Sequence, residues 1–286
     1  MNAHDIHYIK ISEINLAPIK RQRNANKGTH GSIAIIGGQD GMIGALLLAS
    51  RTALLSGTGR VYAFSLANQL LAVDVNFPEV MHRRLSDLPL MIENLDAFVI
   101  GPGMGKQPEA IEWFAFCLNL PKPIIVDADG LNLIAEHPNL AKLAKNRNHA
   151  TIFTPHPGEA SRLLNQTVHS IQQNRVQAAQ TLAKQFNCIC VLKGAESVCA
   201  IPNGKYWINP TGNPGLASAG TGDVLSGLIG ALVAQGMPAL DALKFGVYLH
   251  GMAADALVRK GIGPIGLTAS EVALEIRIQL NRLVTS

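Results

Sequence analysis

The sequence predicts an α/β fold of three layers, α/β/α, built on a central and mostly parallel sheet. Three observations carry this. Short β-rich runs recur that are apolar throughout rather than alternating, as in strands covered on both faces. Helical patterns lie between those runs. Glycine- and proline-rich patches follow the strands, where an open parallel sheet gathers its ligands. At 286 residues, 48% of them hydrophobic, the chain is long enough for one large domain.

The expected strands are Ser32–Ile36, Arg60–Phe64, Ala97–Ile100, Pro123–Val126, Thr151–Phe153 and Cys188–Leu192. The expected helices between them include Gly44–Ser56, Pro108–Asn119 and Ser170–Phe186. Ser197–Ile201 and Lys205–Ile208 read as a hairpin turning at Pro202-Asn203-Gly204. Beyond Asn209 the pattern is helical, over Ala219–Gln235, Ala239–Lys260 and Thr268–Leu283. No linker, repeat or shift in composition marks a boundary, so 1–286 is read as a single domain.

Charged residues make up only 15% of the chain, which argues against disorder. The net charge of +4 is dispersed and suits an anionic substrate. The basic run Lys20-Arg21-Gln22-Arg23 lacks interleaved aromatics, so nucleic acid is not an expected partner. Cys188 and Cys190 are read as facing opposite ways along their strand and, with Cys117 and Cys199, as buried thiols of a reducing compartment. No C-x-x-C knuckle and no apolar run of membrane-spanning length is present. The start, Met1-Asn2-Ala3-His4-Asp5, has no charged-then-apolar signal pattern, and the expected location is the cytoplasm.

Chemistry concentrates in five stretches. Asn209–Leu228 reads N-P-T-G-N-P-G-L-A-S-A-G-T-G-D-V-L-S-G-L. Backbone N–H groups at Gly220, Thr221 and Gly222 would open the following helix and form an anion hole for a phosphate. Asp223 would repel such a ligand, unless it takes a proton from whatever attacks the phosphorus. Its plainer reading is an N-terminal acidic residue complementing the helix dipole. Gly37-Gly38 to Gly44-Ala45 is a strand, a glycine turn and a helix, but it lacks the dinucleotide spacing and the P-loop lysine. It reads equally as a close approach to a ligand or as a tight turn. Asp127 and Asp129 close an apolar strand, as metal or hydroxyl partners or as an N-cap pair. In Thr154-Pro155-His156-Pro157-Gly158-Glu159, two prolines hold His156 rigidly, and Glu159 opens a helix where it can hold water around Mg²⁺. Lys193 ends a strand, as a phosphate contact or simply solvated. His250, mid-helix, reads as a packed and hydrogen-bonded residue rather than a catalyst.

Taken in order, G-G-x(5)-G-A, G-P-G-x-G at 101–105, D-A-D-G-L-N at 127–132, T-P-H-P-G-E, K-G-A at 193–195 and A-G-T-G-D-V-L-S-G resemble the ribokinase-like NAD(P)H-hydrate dehydratases dependent on ADP or ATP. The resemblance runs from Lys27 to Leu283. It implies a ribokinase-like fold and a repair reaction. The S form of hydrated NADH or NADPH (NADHX, NADPHX) loses water at the expense of ADP, which becomes AMP. It also implies Mg²⁺ and a homo-oligomer, a tetramer. In many bacteria the domain is fused behind an epimerase; here it is expected to stand alone.

By resemblance, Asp223 is the catalytic aspartate and also touches the hydrate. Ala45, Gly105 and His156 contact the hydrated nicotinamide nucleotide. Gly222 with Lys193, Gly194, Ala195, Glu196 and Ser197 holds the AMP moiety. Glu159 through water, and Asp127, attend the metal. Sugar kinases of this fold carry Asn-x-x-Glu where this chain has His156-Pro157-Gly158-Glu159. Glu196-Ser197 departs from the neutral residue and Thr of many members, which leaves the choice between ADP and ATP open. Two other readings stand. A vitamin kinase acting on a hydroxymethylpyrimidine or thiazole alcohol would leave a stable phosphorylated product. A non-catalytic nucleotide-binding module would have no need of Asp223.

Overall fold

The computed structural model describes residues 7–69 and 71–285. Residues 1–6, where a signal pattern is absent from the sequence, lie outside them. The apolar runs become β1 (Ser32–Gly37), β2 (Arg60–Ser65), β4 (Ala97–Ile100), β5 (Ile124–Val126), β6 (Thr151–Phe153) and β7 (Ile189–Leu192). With β3 (Met81–Arg84), β8 (Val198–Ala200) and β9 (Tyr206–Ile208) they form one nine-stranded sheet, ordered β3-β2-β1-β4-β5-β6-β7-β8-β9. Pairings from β3 across to β7 are parallel, and β7-β8-β9 is antiparallel. The strand order reverses between β1 and β4, the switch point outside which a doubly wound sheet opens its crevice.

Helices cover both faces. α1 (Ile43–Leu55), α8 (Thr221–Ala234), α9 (Ala239–Arg259) and α10 (Ala269–Thr285) enclose one core layer, with Ile33, Ile35, Val99 and Ile125 facing them. α2 (Pro108–Leu118), α3 (Asp129–Glu136), α4 (Pro138–Lys145), α5 (Pro157–Leu164) and α7 (Arg175–Phe186) enclose the other, under Ile36, Phe98, Ile100 and Phe153. α8 is buried from Val224 to Ala234. Its Val224, Leu225, Leu228, Ile229 and Leu232 each contribute about 1.5–3 kcal/mol by leaving water. Two glycines let it seat: a Cβ on Gly227 would stand 2.2 Å from the Ala49 carbonyl oxygen, and one on Gly230 2.4 Å from Val99 Cγ2. The N-terminus of α8 is thereby fixed against the sheet and α1.

Some elements differ from expectation. β3 reads as a loop because Met-His-Arg-Arg is short and charged, which suits an edge strand. The helical stretch Ser170–Phe186 divides at Asn174 into α6 (Val168–Gln173) and α7. Cys188 and Cys190 lie in the same core layer, not on opposite faces, since residues two apart in a strand point the same way. All four cysteines are buried, and burial raises their thiols, Cys117 to about 12. Among the described residues no helix is long and apolar enough to cross a membrane.

Candidate active site

Strand-end loops converge at the switch point. Gly38 N–H donates to the Pro102 carbonyl at 2.9 Å and Gln39 N–H to the Gly103 carbonyl at 2.7 Å, which joins the loop after β1 to the loop after β4. A Cβ on Gly103 would lie 3.2 Å from Ala45 Cβ, and one on Gly105 only 1.9 Å from Gln39 Oε1. Ala45 and Gly105, assigned to one ligand, therefore belong to one wall. Gly105 N–H is held by Asp129 Oδ2 at 2.9 Å.

The second wall is the start of α8. Gly220 caps it in the left-handed region, φ 83°, with no side-chain cap bond. Asp223 is thus not the N-cap. Its carboxylate makes no hydrogen bond among the described residues. Thr221 turns inward: its hydroxyl donates to the Leu216 and Ser218 carbonyls at 2.8 and 2.9 Å, and its N–H points to Ser218 O at 3.5 Å. The open donors are then Gly220, Gly222 and Asp223 N–H rather than the Gly220–Gly222 trio the sequence suggests. The loop that leads here is clamped to α9. Gly212 N–H and Asn213 Nδ2 both donate to the Asp255 carboxylate at 2.9 Å, and Thr211 Oγ1 donates to the Tyr248 carbonyl at 2.8 Å.

Charges meet between the walls. Lys193 is not a solvated strand end. Its Nζ donates to Asp127 Oδ1 at 2.8 Å, and Asp127 is 1% exposed. The same Nζ stands 3.2 Å from where a Gly222 Cβ would be, so a side chain there would crowd this ammonium against the helix end. Burial pulls the Lys193 pKa down, but Asp127, Glu159 and Asp223 outweigh it and the net shift is upward. Asp223 is pushed up to about 7, by burial first and by Asp127 and Asp129, against the pull of Lys193. Asp127 is aimed by strained backbone: Ala128 has φ 47°, where a side chain is disfavoured, and donates its N–H to Asp127 Oδ1.

The T-P-H-P-G-E loop has a different local logic from the expected one. His156 is itself the N-cap of α5. Its Nδ1 accepts from Gly158 N–H at 2.9 Å and Glu159 N–H at 3.4 Å, while Glu159 Oε2 accepts from His156 N–H at 2.8 Å. This is a capping box with imidazole in the usual serine role. An acceptor Nδ1 puts the proton on Nε2, which faces Glu159 Oε1 at 3.3 Å. Burial, Lys193 and Arg162 hold the His156 pKa below its ordinary value, so the ring is neutral, and its side chain is half exposed. Burial raises Glu159 to about 7, with Asp127 adding and Lys193 opposing.

The predicted AMP residues separate. Lys193 and Gly222 lie with Asp223. Gly194 packs on Arg175, whose Nη2 donates to the Leu192 carbonyl at 3.1 Å. Ser197 Oγ closes the turn onto the Gly194 carbonyl at 3.0 Å. Ala195 and Glu196 line a groove of about 470 Å³ with Gln172, Arg175 and Gln177. Asp127 does not cap α3, because its oxygen is engaged by Lys193 and Ala128. No group of three or more His, Cys, Asp or Glu in metal-binding arrangement occurs among the described residues. His250 is buried as expected, and burial holds its pKa to about 4, but its Nε2 has no hydrogen-bond partner among the described residues. The sequence assigns no role to Asn132, Arg162, Arg175 or Asp255, although Asn132 closes the D-A-D-G-L-N motif and Arg162 lies one helical turn beyond Glu159.

A nine-stranded α/β/α sheet with its crevice at a glycine-opened helix defines a ribokinase-like protein. The chain belongs to the NAD(P)H-hydrate dehydratase family, whose model matches residues 33–276. It is 40% identical over 272 residues to an ADP-dependent (S)-NAD(P)H-hydrate dehydratase of Neisseria meningitidis, with 93% of this chain and 90% of that one covered. It is 37% identical to a bifunctional NAD(P)H-hydrate repair enzyme of Coxiella burnetii, of which it spans 53% of the length. The ADP/ATP-dependent NAD(P)H-hydrate dehydratase of Bacillus subtilis, co-crystallised with ATP and Mg²⁺, superposes with a TM-score of 0.80 at 28% identity over 99% of this chain and 100% of that one.

Proposed function

We propose that this chain is an ADP-dependent (S)-NAD(P)H-hydrate dehydratase, returning NADHX and NADPHX to NADH and NADPH with release of AMP and phosphate. The observation that carries the reading is Asp223: a half-buried carboxylate without a hydrogen bond, at about 7, beside open backbone donors and a lysine. A group of that pKa accepts a proton at neutral pH and releases it afterwards.

The hydrate hydroxyl attacks the β-phosphorus of ADP as Asp223 takes its proton, and the bond to AMP breaks. Gly220, Gly222 and Asp223 N–H groups and Lys193 receive the charge on the transferred group. The ring nitrogen lone pair then expels phosphate from C6, and loss of a proton at C5 restores the dihydropyridine. Ala45, Gly105 and the exposed side of His156 hold the nicotinamide end, and the Lys193–Ser197 turn with Gly222 holds the AMP end. When bound, Mg²⁺ supplies neutralisation of the phosphates. Glu159 has both oxygens engaged by His156, and Asp127 has Oδ1 engaged by Lys193 and Ala128, so these carboxylates would hold a hydrated ion through water. A single domain over 1–286, a cytoplasmic location and a tetramer complete the proposal.

The test is incubation of the purified protein with chemically hydrated NADH, Mg²⁺, and ADP or ATP, following the reduced-nicotinamide absorbance and AMP. No recovery with either nucleotide would sink the reading, and a stable phosphorylated alcohol would favour a vitamin kinase. His156 gives a finer check. His156→Asn retains a good cap and removes the ring. It is expected to raise the hydrate KM about tenfold or more, leaving nucleotide KM and melting temperature nearly unchanged. A rise confined to the nucleotide KM would move this loop to the other side of the crevice.

A further inference from the structure

Arg162 is a crevice-side cation that lowers the pKa of Glu159 from a distance but makes no direct contact with a carboxylate among the described residues. Its neighbours are engaged: Lys106 with Glu136, Lys193 with Asp127, and Arg175 with the carbonyls of Leu192 and Lys193 and with Gln172. Arg162 forms no ion pair among the described residues, although its side chain is fixed. Its Nε donates to Asn132 Oδ1 at 2.9 Å, Asn132 Nδ2 approaches Asp129 Oδ1 at 3.4 Å, and Asp129 Oδ2 holds Gly105 N–H at 2.9 Å. This chain of contacts ties α5 and α3 to the loop after β4 and ends on the backbone of Gly105. A Cβ on Gly158 would lie 2.8 Å from His156 Cε1 and 3.9 Å from Arg162 Nη1, so the imidazole and the guanidinium flank the same glycine.

An exposed arginine ordinarily keeps its rotamer freedom, and ordering it costs entropy. Here a neutral amide orders it through Nε and leaves both Nη groups without an acceptor among the described residues. That is the arrangement of a planar fork offered to an anion, since a carboxylate in the place of Asn132 would neutralise it.

We propose that Arg162, oriented by Asn132 and Asp129, receives a phosphate of the hydrated dinucleotide. The proposal rests on the dehydratase reading, because that substrate carries a diphosphate bridge and, in NADPHX, a 2′-phosphate as well. Asn132 and Asp129 act through Arg162 and Gly105 and are positioning residues.

Steady-state kinetics of Arg162→Ala on NADHX and NADPHX test it. The hydrate KM is expected to rise roughly 10- to 100-fold, with kcat at saturation, nucleotide KM and melting temperature unchanged. The salt dependence of the hydrate KM is expected to flatten. Arg162→Lys, which keeps the charge but loses the fork and the Asn132 anchor, is expected to fall between wild type and Ala. Asn132→Ala is expected to give a smaller rise with the charge intact. Equal losses on the two hydrates assign the diphosphate, and a larger loss on NADPHX assigns the 2′-phosphate. An unchanged hydrate KM, or a rise shared equally with the nucleotide, overturns the proposal. A wild-type enzyme that turns over neither hydrate defeats the functional reading instead, because the Arg162 assignment is judged on the ratio of variant to wild type.

Discussion

Asp223→Asn is expected to lower turnover about 10²- to 10⁴-fold, the usual loss on removing a positioned general base. Nucleotide affinity is expected to hold or tighten, since an amide replaces a carboxylate beside the phosphates. The stability effect separates catalyst from cap. Gly220 caps α8 and the Asp223 carboxylate is unbonded, so no cap is lost. Its folded pKa, about 7, lies above the ordinary carboxylate range. A raised acid is a protonated acid favoured by the fold. Its contribution is intact below the unfolded pKa and is lost as pH rises through about 7. Asn does not ionise. The variant is therefore expected to melt with wild type near pH 4 and above it at pH 8, by on the order of 1–2 kcal/mol after screening in the open crevice. Thermal melts across that range, read beside turnover, decide it. A destabilised variant with normal turnover would return Asp223 to a structural role.

Such a residue is visible in sequence because its neighbours are local: the glycines, the acid and the apolar helix of 219–228 are contiguous. The strands are legible for a similar reason, since burial on both faces leaves runs such as Ile33–Ile36 without a polar residue. What sequence conceals depends on long-range pairing. Lys193 and Asp127 lie 66 residues apart, just past the ends of β7 and β5 with β6 between them, and either alone reads as a solvated or capping residue. The folding of His156 into its own helix cap is hidden for another reason. Proline on each side announces rigidity, but imidazole is not a usual cap, so the ring's acceptor role emerges only from the 2.9 Å contact to Gly158. Pro138 divides α3 from α4 and leaves two pieces too short for a clear helical period. Asn132 and Arg162 are polar positions on short helices, unremarkable until those helices pack side by side.

Lys193→Met tests whether the buried pair organises the site. Removing the ammonium leaves Asp127, 1% exposed, without its partner, and breaking such a pair costs about 3–5 kcal/mol. At roughly 2–4 °C per kcal/mol, the melting temperature should fall on the order of 10 °C. Asp127→Asn added to Lys193→Met removes the stranded charge, so the double variant is expected to recover much of that loss. The catalytic consequence has the opposite dependence. Lys193 draws the pKa of both Asp223 and Glu159 downward, against burial. Without it Asp223 titrates higher, and the acid limb of the rate profile is expected to move to higher pH. Turnover at neutral pH should fall, with partial recovery in alkali. Nucleotide KM should rise as well, because the ammonium lies beside Gly222 at the open helix end. The recovery in alkali is the discriminating signature. A lysine that only braced Asp127 would let the double variant regain activity along with stability. One that sets the charge on Asp223 would displace the pH profile in the single variant and return it in the double, where Asp127, which raises Asp223, is neutralised too, while nucleotide binding stays weak.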